Sequence, residues 1–302
     1  MASRRSKTVL LFLVLIAGGL VSIVAGDPLQ QQIETLGMQA GAEAIGIYFR
    51  GYDGKTFSYQ PDEMFHAAST MKVPVMMEVF HQVQQGKLKL DQSIPVKNEF
   101  QSMQDGSAFA LDPADEDGDK SLYEKVGQTL PLKDLVDLMI TQSSNFATNL
   151  VIQQVSPTNV MALMKEIGAN HMNVLRGVQD LKAYEAGKNN TTDAQSLARC
   201  YEAILNSKVF TASSRDAMIA VLLAQHFRSG IPAGIKAEER NLKVANKDGL
   251  IEEDIHHDSA IITNPAGKSA VLVILTRGVR DDGVGKKLVA DLAGAVYDFY
   301  NR

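Results

Sequence analysis

Strand-like and helix-like patterns are segregated along this chain in a way that few folds satisfy. Ala44-Ile45-Gly46-Ile47-Tyr48-Phe49-Arg50 reads as a strand, Gly51-Tyr52-Asp53-Gly54 as a turn and Lys55–Tyr59 as its hairpin partner. From Ser69 to about Ser207 the pattern turns helical. Leu132, Leu135, Leu138 and Met139 share one face of Pro131–Thr141, and Ser156-Pro157 sets an N-cap before a helix that stops at Gly168. Thr192-Asp193-Ala194-Gln195 reads as a capping box opening a helix over Ala194–Leu205. Short β-branched runs return at Leu242–Asn246, Ser259–Thr263 and Ala270–Thr276, and an amphipathic helix closes the chain over Val284–Tyr300. One sheet must then draw on both ends of the chain. The expected class is α+β: an antiparallel sheet formed from N- and C-terminal segments flanked by helices, with an inserted all-helical subdomain. Residues 27–65 and 208–302 would form the α/β part and 66–207 the helical part.

Residues 1–26 lie outside that scheme. Arg4, Arg5 and Lys7 make a basic start, Val9–Ala25 is an unbroken apolar and small-residue run, and Val24-Ala25-Gly26 ends in small residues. This pattern is that of an export signal peptide, placing the rest of the chain in the periplasm or outside the cell. An uncleaved membrane anchor is the competing reading, since 17 residues are at the short edge of a membrane span. Removing Arg4, Arg5 and Lys7 with the segment takes the net charge from −5 to −8. An acidic chain with no lysine/arginine cluster is a poor nucleic-acid binder. The single cysteine, Cys200, excludes an internal disulfide and falls within a helical stretch, as a small core residue does.

Three short motifs carry chemistry. Ser69-Thr70-Met71-Lys72 is the only Ser-x-x-Lys in the chain and sits where a helix begins. Residues three apart share a helix face, so the Lys72 amine can reach the Ser69 hydroxyl and act as its base. Ser143-Ser144-Asn145 follows the Pro131–Thr141 helix, and Lys247-Asp248-Gly249 ends the Leu242–Asn246 strand. Alone, Ser143 and Asn145 also read as helix caps.

In order, spacing and element type this set resembles the class A β-lactamases and penicillin-binding proteins, over most of Ile45–Arg302. The resemblance implies a β-lactamase/transpeptidase-like fold. It makes Ser69 the acylated nucleophile, Lys72 its base and Ser143 the relay of a proton to the leaving nitrogen. Asn145 would hold the substrate's amide side chain, and Lys247, with Asp248 and Gly249, would face its carboxylate. The backbone N–H groups of Ser69 and Leu250 would hold the oxyanion. The implied activity is hydrolysis of β-lactam amides by a monomer that needs no metal and no organic cofactor. The alternatives are a penicillin-binding-like D-Ala-D-Ala peptidase or esterase with slow deacylation, and a non-catalytic relative that binds cell-wall peptides.

Three departures bear on activity. Ser144 stands where many class A enzymes carry a structural aspartate. Asp248 stands where the family has Thr or Ser, and like charges about 4 Å apart near a surface cost on the order of 4 kcal/mol. Pairing of Asp248 with a nearby Lys or Arg would remove that conflict. In the stretch Val174-Leu175-Arg176-Gly177-Val178-Gln179-Asp180-Leu181, matched to the loop that supplies the deacylating glutamate, the aligned position is Gln179. An amide is no proton acceptor, and Asp180 is the nearest carboxylate.

Other segments read as structure. Pro113–Glu124 resembles a calcium loop in spacing, but Pro113 replaces its first ligand, so a solvated acidic loop is expected. His256-His257-Asp258 lacks the helical pair of zinc proteases and is expected at the edge of the pocket. Asn190-Thr191-Thr192 has the form of a glycosylation sequon but is expected to precede a helix.

Overall fold

A computed structural model describes residues 27–114, 119–206 and 208–301. The export-signal reading of 1–26 and the middle of the acidic loop, 115–118, lie outside the described residues. Among the described residues no helix is long and apolar enough to cross a membrane.

A five-stranded antiparallel sheet is built from both ends of the chain. Its strands are β1 (Ala44–Arg50), β2 (Thr56–Tyr59), β3 (Lys243–Ile251), β4 (Ile255–Thr263) and β5 (Ser269–Arg277), in the order β2-β1-β5-β4-β3. β1 pairs β5 with Ile47 opposite Ile274, and β4 pairs β3 with Ser259 opposite Lys247. The central strands are buried along almost their whole length because both faces are covered. Leu272 and Ile274 point to the back layer, and Val271, Val273 and Leu275 to the helical side, as the pleat dictates.

The back layer is α1 (Pro28–Ala40), α9 (Ile231–Gly234) and α10 (Asp282–Tyr300). The front holds α2 (Lys72–Gln84), α3 (Leu132–Thr141), α4 (Asn145–Val155), α5 (Pro157–Glu166), α6 (Leu181–Glu185), α7 (Ala194–Leu205) and α8 (Ala212–Leu223). Val73, Val75, Met76, Met77 and Val79 leave α2 buried all round, as expected of a central helix. Met218 and Leu222 of α8 join this helical core.

Local chemistry moves two sequence boundaries. The cap of α7 is Asp193, whose Oδ1 accepts from Ser196 N at 2.6 Å, while Thr192 pairs with Phe65 in a two-residue strand. A carboxylate beside the first turn outcompetes the hydroxyl preceding it. β3 runs on through Lys247-Asp248-Gly249 to Ile251, and β4 begins at Ile255, so all of His256-His257-Asp258 is strand.

Candidate active site

The turn bearing Ser69 is held between strand and helix. Ala68–Met71 forms a 3-10 turn running directly into α2, with Ala68 at φ 45°. Leading N–H groups of such a turn have no partner within it, and the Ser69 N–H is one of them. β3 packs against this turn at Gly249, where a Cβ would lie 3.1 Å from Thr70 Cγ2 and 3.3 Å from Ala68 Cβ. A larger residue here would press on the turn, which would have to give by a few tenths of an ångström.

Side chains from three segments meet at one amine. Lys72, 1% exposed, places Nζ 3.0 Å from Ser69 Oγ, 3.1 Å from Ser143 Oγ, 2.5 Å from Ser143 O and 2.9 Å from Asn145 Oδ1. The Ser143 carbonyl and the Asn145 oxygen only accept. A neutral amine can donate to both and still offer its lone pair to a serine hydroxyl; an ammonium satisfies both and one hydroxyl besides. Ser144 caps α4, accepting from Ala147 N at 3.2 Å, which presents Asn145 from the first turn. Ser143 before it takes φ 58°, a conformation costly for a residue with a Cβ.

Below the turn lie two neutral histidines. His257, pushed down to about 4 by burial, donates from Nε2 to His66 O at 3.0 Å and accepts from Thr276 N at Nδ1 at 3.1 Å. These partners fix its tautomer. His66, also lowered to about 4, by burial and then by the Arg176 charge, accepts from Ala68 N at Nδ1. Neither histidine stood out in the sequence as a functional residue, because the Thr276 N and His66 O partners of His257 and the Arg176 charge beside His66 are far away in sequence.

Ser69, Ser143, Asn145, Asp248, Gly249 and Leu250 line a single cleft of about 460 Å³. It continues past the edge strand to Glu252, Phe227, Lys286 and Asp258. Asp258 is fully buried, and its carboxyl is raised to about 7 by that burial. It accepts from Ile231 N, Ser259 N and Asn246 Nδ2. Lys247 has a fully buried side chain, and its Nζ lies 2.6 Å from Asp248 Oδ1. The partner that Asp248 needs is thus the adjacent lysine.

The 174–181 loop is arranged differently. Asn190 accepts from Leu175 N and Arg176 N and donates to Arg176 O, at 2.8, 3.2 and 3.1 Å. Asn149, one turn beyond Asn145 on α4, accepts from Val178 N at 2.7 Å and donates to Val178 O at 2.9 Å. Arg176 is buried, stacks on Tyr184 at 5.1 Å, donates to Gly177 O, and leaves Nε without an acceptor. Asp180 accepts from Ser102 Oγ and Met103 N, both at 2.7 Å, and caps α6 through Ala183 N. Gln179 takes φ 60°. Neither Gln179 nor Asp180 lines the cleft. Asn149 was legible in principle, as a second asparagine at i+4 from Asn145 on the same helix face.

Among the described residues no cluster of His, Cys, Asp and Glu could hold a metal ion. Cys200 is buried and its thiol lies above its ordinary range through that burial, as a core residue.

Comparison with known proteins finds relatives of this chain in sequence and in fold. The model of the Beta-lactamase enzyme family matches residues 28–300. A β-lactamase of Bacillus licheniformis is 26% identical over 255 residues, covering 82% of this chain and 76% of its own. A β-lactamase structure from Sphaerobacter thermophilus superposes with TM-score 0.75 at 25% identity, over 90% of this chain and 97% of that one. A mutant of PBP-A, solved as an acyl-enzyme complex with penicillin G, shares the fold with TM-score 0.76 at 24% identity, over 90% and 96% of the two chains.

Proposed function

The chain belongs to the β-lactamase enzyme family, and from that premise we propose a serine hydrolase that β-lactam amides or cell-wall peptides acylate at Ser69 and that releases the acyl group slowly. The observation carrying the proposal is the convergence of Ser69 Oγ, Ser143 Oγ and Asn145 Oδ1 on the buried Lys72 amine. Ser69 Oγ attacks the amide carbon as its proton passes to Lys72 Nζ. The ester C–O bond forms, and the oxyanion is received by the N–H groups of Ser69 and Leu250. As the C–N bond breaks, a proton travels from Lys72 through Ser143 Oγ to the leaving nitrogen. Asn145 keeps Lys72 in place and is positioned to meet the substrate's amide side chain.

Release requires a base for water, and the loop offers none in a free state. Asp180 is occupied by three donors, Gln179 is an amide and Val178 is apolar. A missing general base slows such a step by roughly 10²–10⁴. The penicillin G acyl-enzyme of a fold neighbour is in keeping with this reading. The basic start and apolar run of residues 1–26 further support export from the cytoplasm, which cell fractionation tests.

Labelling with a fluorescent penicillin tests the acylation step. A covalent band in the wild type, absent in Ser69→Ala, is expected. Binding that survives Ser69→Ala with no covalent product in either protein would instead make the chain a non-catalytic relative.

A further inference from the structure

Lys247 and Asp248 are neighbours in sequence on an edge strand, so the pleat aims them to opposite faces. Their side chains nonetheless meet, with Nζ 2.6 Å from Oδ1, at the rim where β3 borders the cleft. The lysine side chain is completely buried and the aspartate side chain is 27% exposed, so the acid rather than the ammonium faces the cleft. The ring of Phe227, also in the cleft wall, lies 6.0 Å from the same Nζ. The second oxygen of Asp248, Oδ2, has no protein donor among the described residues. Glu252, beyond the end of the same strand, adds another acid to this wall, and Lys120 and Lys286 also line the cleft, Lys286 with its Nζ 3.9 Å from Asp282 Oδ2.

Resting on the acyl-enzyme reading above, we propose that Asp248 occupies Lys247 as an internal substitute for a substrate carboxylate, so that the cleft selects acyl donors ending in a neutral hydrogen-bond donor, a carboxamide, over those ending in a free carboxylate. A carboxylate entering here meets a cation already neutralised at contact distance and a like charge beside it. A carboxamide meets no repulsion, and its N–H can donate to Asp248 Oδ2. Specificity of this kind comes from the repulsive element against the rejected ligand as much as from attraction to the accepted one.

The test separates recognition from chemistry. Affinities of N-acetyl-D-alanyl-D-alanine and of its C-terminal carboxamide are measured by NMR titration on Ser69→Ala, which cannot be acylated. The carboxamide is expected to bind at least about tenfold more tightly, a modest part of the repulsion between two like charges in contact. Adding Asp248→Asn, or Asp248→Ser should the first variant fold poorly, is expected to bring the two affinities together or reverse them. Equal affinities in Ser69→Ala, or tighter binding of the carboxylate, would overturn the proposal. In parallel, benzylpenicillin and its carboxamide are compared as acylating agents of the wild-type protein. No adduct from either, with the binding preference intact, would overturn acylation at Ser69 and leave the recognition role of Asp248 standing.

Discussion

Around Ser69, polar atoms from the 3-10 turn, α2 and the start of α4 turn inward upon the Lys72 amine, whereas in the 174–181 loop they turn away from the cleft. Both regions are dense in hydrogen bonds. In the first, the bonded groups line the cleft, and under the proposed mechanism they pass protons and face an incoming carbonyl. In the second, Asn149 and Asn190 grip backbone, and Asp180 ties the loop to Ser102 and Met103. A loop can be firmly held and still lack a base. Density of hydrogen bonding is therefore no measure of catalytic equipment; the proton-accepting atom must face the substrate.

The largest effect expected from breaking this contrast is on the equipped side. Lys72→Met keeps volume while removing the amine, and should lower the acylation rate constant by roughly 10²–10⁴. Rapid-quench mass spectrometry checks this, and a rate within threefold of wild type would remove Lys72 as base. Equipping the other side should do the converse. Val178→Glu, at a position whose N–H and C=O are both gripped by Asn149, is expected to speed release by roughly 10–100-fold. Gln179→Glu is expected to do less, because its left-handed backbone conformation is not fixed by such a grip. Equal release rates in both variants and the wild type would count against this loop as the deacylating position.

Acid should weaken the equipped side first. His66 and His257 support the nucleophile turn, and both are depressed to about 4 by burial. Between about pH 4 and 6.5 the unfolded chain binds their protons and the folded one does not, so their contribution is lost as pH falls. Asp258, raised to about 7, has the opposite sign: the folded chain keeps its proton and gains stability as pH falls from about 7 to 4. Two groups oppose one. Asp258→Asn should therefore steepen the rise of unfolding free energy with pH, measured by urea titration from pH 4.5 to 6, by about 1.4 kcal/mol per pH unit. An unchanged slope would mean that the Asp258 proton is not held.

The smallest change is expected from Asp180→Ala. Loss of the α6 cap and the Ser102 tie should cost about 1–2 kcal/mol, seen as a lower Tm, with acylation and release unchanged. A fall in release rate would return Asp180 to a catalytic role.

These contrasts explain what the sequence could and could not disclose. The split of strands between the two ends, the helix opening at Lys72 and the three motifs depend on local periodicity and spacing, and the sheet and the meeting of Ser69, Lys72, Ser143 and Asn145 follow them. The position of Asp180 turns on a serine 78 residues away, which no local pattern encodes. The Lys247–Asp248 contact defies strand alternation and exists because β3 is an edge, where a side chain can fold round the rim. His257 is likewise held neutral by burial among segments distant in sequence.

The division between a prepared acylation and an unprepared release is tested most directly by intact-mass spectrometry of the wild-type protein over hours with benzylpenicillin, Ser69→Ala serving as control. One adduct per chain that forms, maps to Ser69 and outlasts removal of free drug is the expected result. Rapid loss of the drug with no accumulated adduct would contradict it, since water would then have found a base that the 174–181 loop does not present.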